Sequence, residues 1–180
     1  MARSRKTVQM AEIALMSAVL CVISPFTIPV PMSPVPLSLA LFAVYLAAVL
    51  LGAKKGAFSV LVYLLLGMVG LPVFSGFSGG IGVLLGPTGG YIIGYVPCAL
   101  VIGLLVERGV HTIFAMTAGT LVCYCFGTIW FLIIMKGTYT LIQALLVCVV
   151  PYLIFDMIKI LAAAAVAVPV RKIVRRIELR

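Results

Sequence analysis

The sequence predicts an all-α, polytopic integral membrane protein: a single domain over residues 1–180, built as a bundle of six transmembrane helices with a re-entrant glycine-rich outer loop. Three observations carry this. The 180 residues are 64% hydrophobic and only 9% charged, with a mean hydropathy of +1.33, whereas a soluble domain is about 25% charged. Residues 13–53 and 56–106 contain no Asp, Glu, Lys or Arg; each run suits two adjacent crossings of ~20 residues and neither suits a soluble core. Apart from Asp156 and Lys159, nearly every charge lies near a boundary between apolar segments, and the basic ones alternate between boundaries. A transmembrane β-barrel is excluded, because its strands would alternate polar and apolar at every second residue.

The first apolar segment, 8–24, follows the basic start Arg3, Arg5 and Lys6 and is too long for the h-region of a cleavable signal peptide. It ends at the proline cluster Pro25, Pro29, Pro31, Pro34 and Pro36. The second, 37–51, stops at Gly52, Lys54 and Lys55; the third, 56–71, stops before Pro72. Both are short for a full crossing. The fourth covers 89–106, the fifth 112–135 and the sixth 140–168.

Six crossings leave both termini on one side. Every basic residue except Lys136 and Lys159 lies on that side, in the tails 1–6 and 171–180 or at Lys54, Lys55 and Arg108. The positive-inside rule makes it cytoplasmic. The net charge of +9 thus reports orientation and contact with anionic headgroups of the lipid bilayer, and calls for no nucleic acid.

Of the two uncharged loops placed outside, 72–88 stands out: the string 71–91 holds seven of the 17 glycines. Glycine permits close approach of backbone to a ligand, and non-helical backbone near a membrane is tolerated where it lines a cavity or is buried in protein. The interspersed Val73, Phe74, Phe77, Ile81, Leu84 and Leu85 argue for a loop folded back on the bundle rather than a flexible linker. The stretch 80–86 fits neither a P-loop nor a Rossmann motif, and the ladder Gly82, Gly86, Gly90, Gly94 predicts, in its helical part Gly90 and Gly94, close helix packing. Cys21, Cys98, Cys123, Cys125 and Cys148 form no metal or redox motif and read as small hydrophobes. Neither a metal nor a cofactor is expected. His111 reads as a solvated loop residue, Trp130 as an interfacial anchor, and Glu12 as neutralised by Arg3, Arg5 and Lys6. Ala14 and Ala18 form a small-xxx-small pair, which serves packing in the bundle or a docking face.

Asp156 and Lys159 are different, because they sit inside the sixth segment. An ionised group at membrane depth costs about 3 kcal/mol or more. A spacing of three puts both on one helix face. A purely structural ion pair would be served as well by two apolar residues, so the pair points to a polar ligand. Tyr152 and Phe155 add rings beside it, and Pro151 would break or kink the helix one turn earlier.

These residues resemble the BioY family, the biotin-binding substrate-capture subunits of energy-coupling-factor vitamin transporters. The resemblance rests on GLPVFSGFSGGIGVLLGPTGGY (70–91), PYLIFDMIK (151–159) and the proline-rich IPVPMSPVP (28–36). It implies a six-helix subunit of a prokaryotic cytoplasmic membrane that binds biotin on its outer side. It also implies partners, a transmembrane coupling subunit and two ATPase subunits, since no ATP-binding motif is present here. Ala14 and Ala18 resemble the signature through which such subunits meet the coupling subunit. For biotin, Asp156 would accept a ureido N–H and Lys159 would donate to the ureido carbonyl or a carboxylate. Tyr91 and Tyr152 would flank the ring system, and Ser75, Ser78 and the Gly79 amide would complete the polar shell. Some relatives carry a carboxamide where this chain has Ser78.

Three other functions are weighed against this. A subunit for thiamine or riboflavin is the nearest alternative, although a cationic substrate would favour more acids than Asp156 alone. An intramembrane enzyme lacks a nucleophile–base pair or metal cluster. A channel would need a chain of titratable groups through the bundle.

Overall fold

A computed structural model of the chain describes residues 2–28 and 37–178, with side chains from residue 5 to residue 173 within those ranges. Pro29, Pro31, Pro34 and Pro36, and the side chains of Arg3, Arg175, Arg176 and Arg180, lie outside the described residues.

Seven helices and one small hairpin are described: α1 (Ala2–Ile23), β1 (Thr27–Ile28), β2 (Leu37–Ser38), α2 (Ala40–Met68), α3 (Ile81–Leu85), α4 (Gly89–Glu107), α5 (Thr112–Ile134), α6 (Leu141–Cys148) and α7 (Val150–Glu178). The strands pair antiparallel, Thr27 opposite Ser38. Five of the helices are long and apolar enough to cross a membrane. Their outward faces carry large apolar side chains such as Ile154, Phe114 and Met10, each at least 70% exposed. Patches of this kind mark a surface that meets lipid rather than water.

The predicted second and third segments are joined without a loop. Within α2, Gly52 has φ 79° and ψ −174°, a conformation essentially restricted to glycine. Beyond it the chain turns back. A Cβ on Gly56 would lie 2.9 Å from the Ala47 carbonyl oxygen, whereas nine residues of straight helix span about 13 Å. Thus α2 is a hairpin of two short arms, 40–51 and 53–68, and Lys54 and Lys55 belong to the first turn of the second arm rather than to a loop. Glu107 secures the turn: its Oε1 accepts the Ala53 N–H at 2.8 Å, one of the orphan donors of a new helix start, and its negative charge suits that end.

The predicted sixth segment is likewise divided. Val149, at φ −123° and ψ −55°, separates α6 from α7, and Pro151 occupies the first turn of α7, where its missing N–H is harmless. The helix then continues through Pro169 to Glu178, so the basic C-terminal segment is helical to that point.

Contacts fix the directions of the helices. Glu12 and Ser17 of α1 meet Lys55 and Ser59 in the second arm of α2, so these two run parallel. Helices α4 and α5 run antiparallel and close: Cβ atoms on Gly90 and Gly94 would lie 2.1 Å from the Trp130 Cβ and 3.2 Å from the Phe126 Cβ, the packing expected of the glycine ladder. Glu12, Gly52, Lys55, Glu107, Val170 and Arg171 consequently gather at one end of the bundle. The β-hairpin and the loop 69–88 close the other. Glu12 pairs with Lys55 at 2.5 Å, correcting the expectation that the basic N-terminal tail neutralises it.

Phe74 is one anchor of the glycine-rich loop. Phe74 is fully buried and meets Tyr63 edge-on at 5.6 Å, while Val73, Val83 and Leu84 are partly buried. Phe77, Ile81 and Leu85 are exposed, although the Phe77 ring meets Phe26 edge-on at 5.7 Å, so only part of the apolar set that suggested a folded-back loop is covered. Trp130 also secures this end, its Nε1 donating to the Gly86 carbonyl at 3.0 Å. His111 is exposed in the α4–α5 connection.

Candidate functional site

A hollow opens between the loop-closed ends of the helices. Ser38 in β2, Leu41 in the first turn of α2, Tyr91 in the first turn of α4 and Tyr152 in the first turn of α7 contribute to its wall. Asp156 and Lys159 lie successively deeper along α7, and Tyr124 reaches in from the middle of α5. Its cavity volume is about 50 Å³, well below the ~300–1,000 Å³ typical of small-molecule sites, so a ligand the size of a vitamin needs the lining side chains to move apart. The space is narrow, because rings occupy much of its cross-section. Tyr91, Tyr95, Tyr124 and Tyr152 supply flat apolar faces with hydroxyl tips, and the thiols of Cys123 and Cys148 fill the gaps between them.

Asp156 and Lys159 are 5% and 9% exposed, and Lys159 Nζ donates to Asp156 Oδ1 at 2.8 Å. The second carboxylate oxygen, Oδ2, accepts from the Tyr124 hydroxyl. Taking both charges out of water costs several kcal/mol per ion, which the pair offsets only with close geometry and further hydrogen bonds. The pair satisfies those conditions and still borders open space. It is therefore not sealed against itself.

Tyr91 takes its place through a local sequence feature. A Cβ on Gly127 would sit 2.1 Å from the Tyr91 ring, so glycine at that point of α5 is what lets the ring lie against the helix. The Tyr91 hydroxyl meets Thr128 Oγ1 at 3.4 Å, and Cys123 Sγ donates to the Tyr91 carbonyl at 3.5 Å.

The structure therefore brings together four of the residues singled out in the sequence: Tyr91, Tyr152, Asp156 and Lys159. It does not bring Ser75, Ser78 or Gly79 to the hollow. Ser78 Oγ donates to the Ser75 carbonyl at 2.8 Å, and a Cβ on Gly79 would meet the Leu71 carbonyl oxygen at 2.3 Å, so these residues hold the loop's own shape. Ala14 and Ala18 are exposed on α1. Tyr124, Tyr95, Ser38 and the two thiols escaped the sequence reading; Tyr124 and Asp156 are 32 residues apart on different helices, and no spacing rule joins them. Among the described residues no group of three or more His, Cys, Asp or Glu side chains is placed to hold a metal, and the five cysteines are free thiols.

Comparison with known proteins agrees with this architecture. The family model described as "BioY family" matches residues 1–176. The biotin transporter BioY of Thermotoga maritima is 39% identical over 81% of this chain and 86% of its own length. The probable biotin transporter BioY of Pyrococcus horikoshii is 40% identical over 78% of this chain and 83% of its own. The crystal structure of the S-component for biotin from an ECF-type ABC transporter superposes with a TM-score of 0.84 at 27% identity, covering 96% of this chain and 95% of that one. The chain belongs to the BioY family.

Proposed function

We propose that this protein captures biotin at the outer face of a prokaryotic cytoplasmic membrane and serves as the substrate-binding subunit of an energy-coupling-factor transporter. The observation that carries the proposal is the buried Asp156–Lys159 pair bordering a hollow instead of packed protein. Support comes from family membership and from the names of the relatives, which are biotin transporters.

The chemistry of the hollow suits this ligand. A ureido group presents N–H donors beside a carbonyl acceptor; the carboxylate of Asp156 accepts the former and the ammonium of Lys159 donates to the latter. The tyrosine rings flank the apolar bicycle, and Ser38 of the β-hairpin adds a polar group to the wall. A cationic vitamin such as thiamine fits less well, because the one acid in the hollow is already neutralised by Lys159. The protein itself is a transport subunit and performs no chemical step.

The end that carries Lys54, Lys55, Arg108 and Arg171 faces the cytoplasm, following the positive-inside rule. A transmembrane coupling subunit and two ATPase subunits provide the energy. The exposed Ala14 and Ala18 let a partner helix approach α1 closely.

A thermal-shift panel of biotin, thiamine and riboflavin on the purified protein tests the ligand. Biotin alone is expected to raise the melting temperature, in proportion to the logarithm of its concentration once saturating. Equal responses to all three, or stabilisation by thiamine or riboflavin alone, would remove biotin from the assignment.

A further inference from the structure

Helices α4 and α7 both start at the loop-closed end of the bundle, with Tyr91 and Tyr152 in their first turns. Tyr95 and Asp156 follow four residues later, each on the same face as its predecessor and about 6 Å further along its helix. Both line the hollow, so Tyr95 stands at the level of the carboxylate. The hydroxyls beside it are committed to protein: that of Tyr91 meets Thr128 and that of Tyr124 meets Asp156. Tyr95 is 8% exposed, and among the described residues its hydroxyl has no hydrogen-bond partner. Its oxygen is nevertheless not fully enclosed: it borders open space, and the open space that Tyr95 lines is the hollow. Taking a hydroxyl out of bulk water without a protein partner costs free energy. A ring needed only for packing would be supplied by phenylalanine without that cost.

We infer that Tyr95 is a further ligand-binding, specificity-determining residue, whose hydroxyl donates to the ureido carbonyl oxygen beside Lys159. This rests on the reading of the hollow as a biotin site, in which a ureido N–H goes to Asp156 and the carbonyl faces the ammonium. A carbonyl oxygen has two lone pairs; Lys159 takes one, and the hydroxyl at the same level takes the other. Two donors converging on one oxygen select a ligand whose group at this depth is a strong acceptor flanked by an N–H.

The test is calorimetric titration of wild type and Tyr95→Phe with biotin, with desthiobiotin, which keeps the ureido group, and with 2-thiobiotin, whose ureido oxygen is replaced by sulfur, a weak acceptor. Melting of both proteins without ligand accompanies it. The variant loses no hydrogen bond within the protein, so it is expected to melt no lower than wild type. It should bind biotin and desthiobiotin about three- to tenfold more weakly, the size of one neutral hydrogen bond, and 2-thiobiotin about as wild type does. A drop in melting temperature, or a variant that does not fold, gives the hydroxyl a structural role and overturns the inference. Unchanged biotin affinity, or equal losses for biotin and 2-thiobiotin, overturns it too, and each leaves the biotin assignment standing as long as wild type binds biotin. Failure of wild type itself to bind biotin overturns both.

Discussion

Two acid–base pairs, one toward each end of the bundle, show how position decides what a charge is for. Glu12 and Lys55 meet at 2.5 Å with side chains 30% and 32% exposed. They clip α1 to the second arm of α2 at the end where most described charges gather. Asp156 and Lys159 meet at 2.8 Å with side chains 7% and 10% exposed, beneath a ring of tyrosines. The distances are similar and the environments are not. Solvent and headgroups screen the first pair, and exposed pairs of this kind contribute about 0–1 kcal/mol. The second pair has no such screening and exists at a standing desolvation cost, which a function has to justify.

The comparison is broken or sharpened by substitution. The largest effect is expected at the deep pair: Asp156→Asn or Lys159→Ala leaves the partner charge buried and alone, lowering the unfolding free energy in detergent by about 3–5 kcal/mol. Replacing both together, Asp156→Leu with Lys159→Met, should recover most of that stability while abolishing biotin binding. Recovery of binding as well would show the pair to be structural. Next comes Gly52→Ala. The glycine-only backbone there costs any other residue about 1–3 kcal/mol, and the added Cβ would lie 2.4 Å from Glu107 Oε1, displacing the carboxylate from the Ala53 amide. Biotin affinity should change little, since the turn lies at the far end from the hollow; a large loss would mean that the two ends are coupled. Smallest is Glu12→Gln, expected to alter stability by no more than about 1 kcal/mol and to leave binding unchanged.

The same contrast separates what the sequence made legible from what it did not. Asp156 and Lys159 could be found because a charge in an uncharged run has few explanations, and their partnership because three residues of helix place them side by side. The membrane class and most helix positions followed from equally local signals. Tyr124 carried no such mark: it is one tyrosine of seven, and its role comes from α5 packing beside α7. The hairpin in α2 was expected from its two apolar segments, but the tightness of its turn was hidden for another reason. Gly52, Lys54 and Lys55 look like any interfacial loop, and only the backbone angles, with Glu107 arriving from α4, reveal a turn made within a single residue. Ser75, Ser78 and Gly79 were drawn to the site by composition, but the path of an irregular loop is set by anchors such as Phe74 and by its own hydrogen bonds, which no periodicity encodes.

The central claim is that the deep pair binds the ligand, and calorimetric titration of biotin into wild type, Asp156→Asn and Lys159→Ala tests it most directly. Each substitution is expected to weaken binding by roughly tenfold or more, equivalent to about 1.4 kcal/mol or above. Wild-type affinity in both folded variants would contradict the claim and return the pair to a structural role.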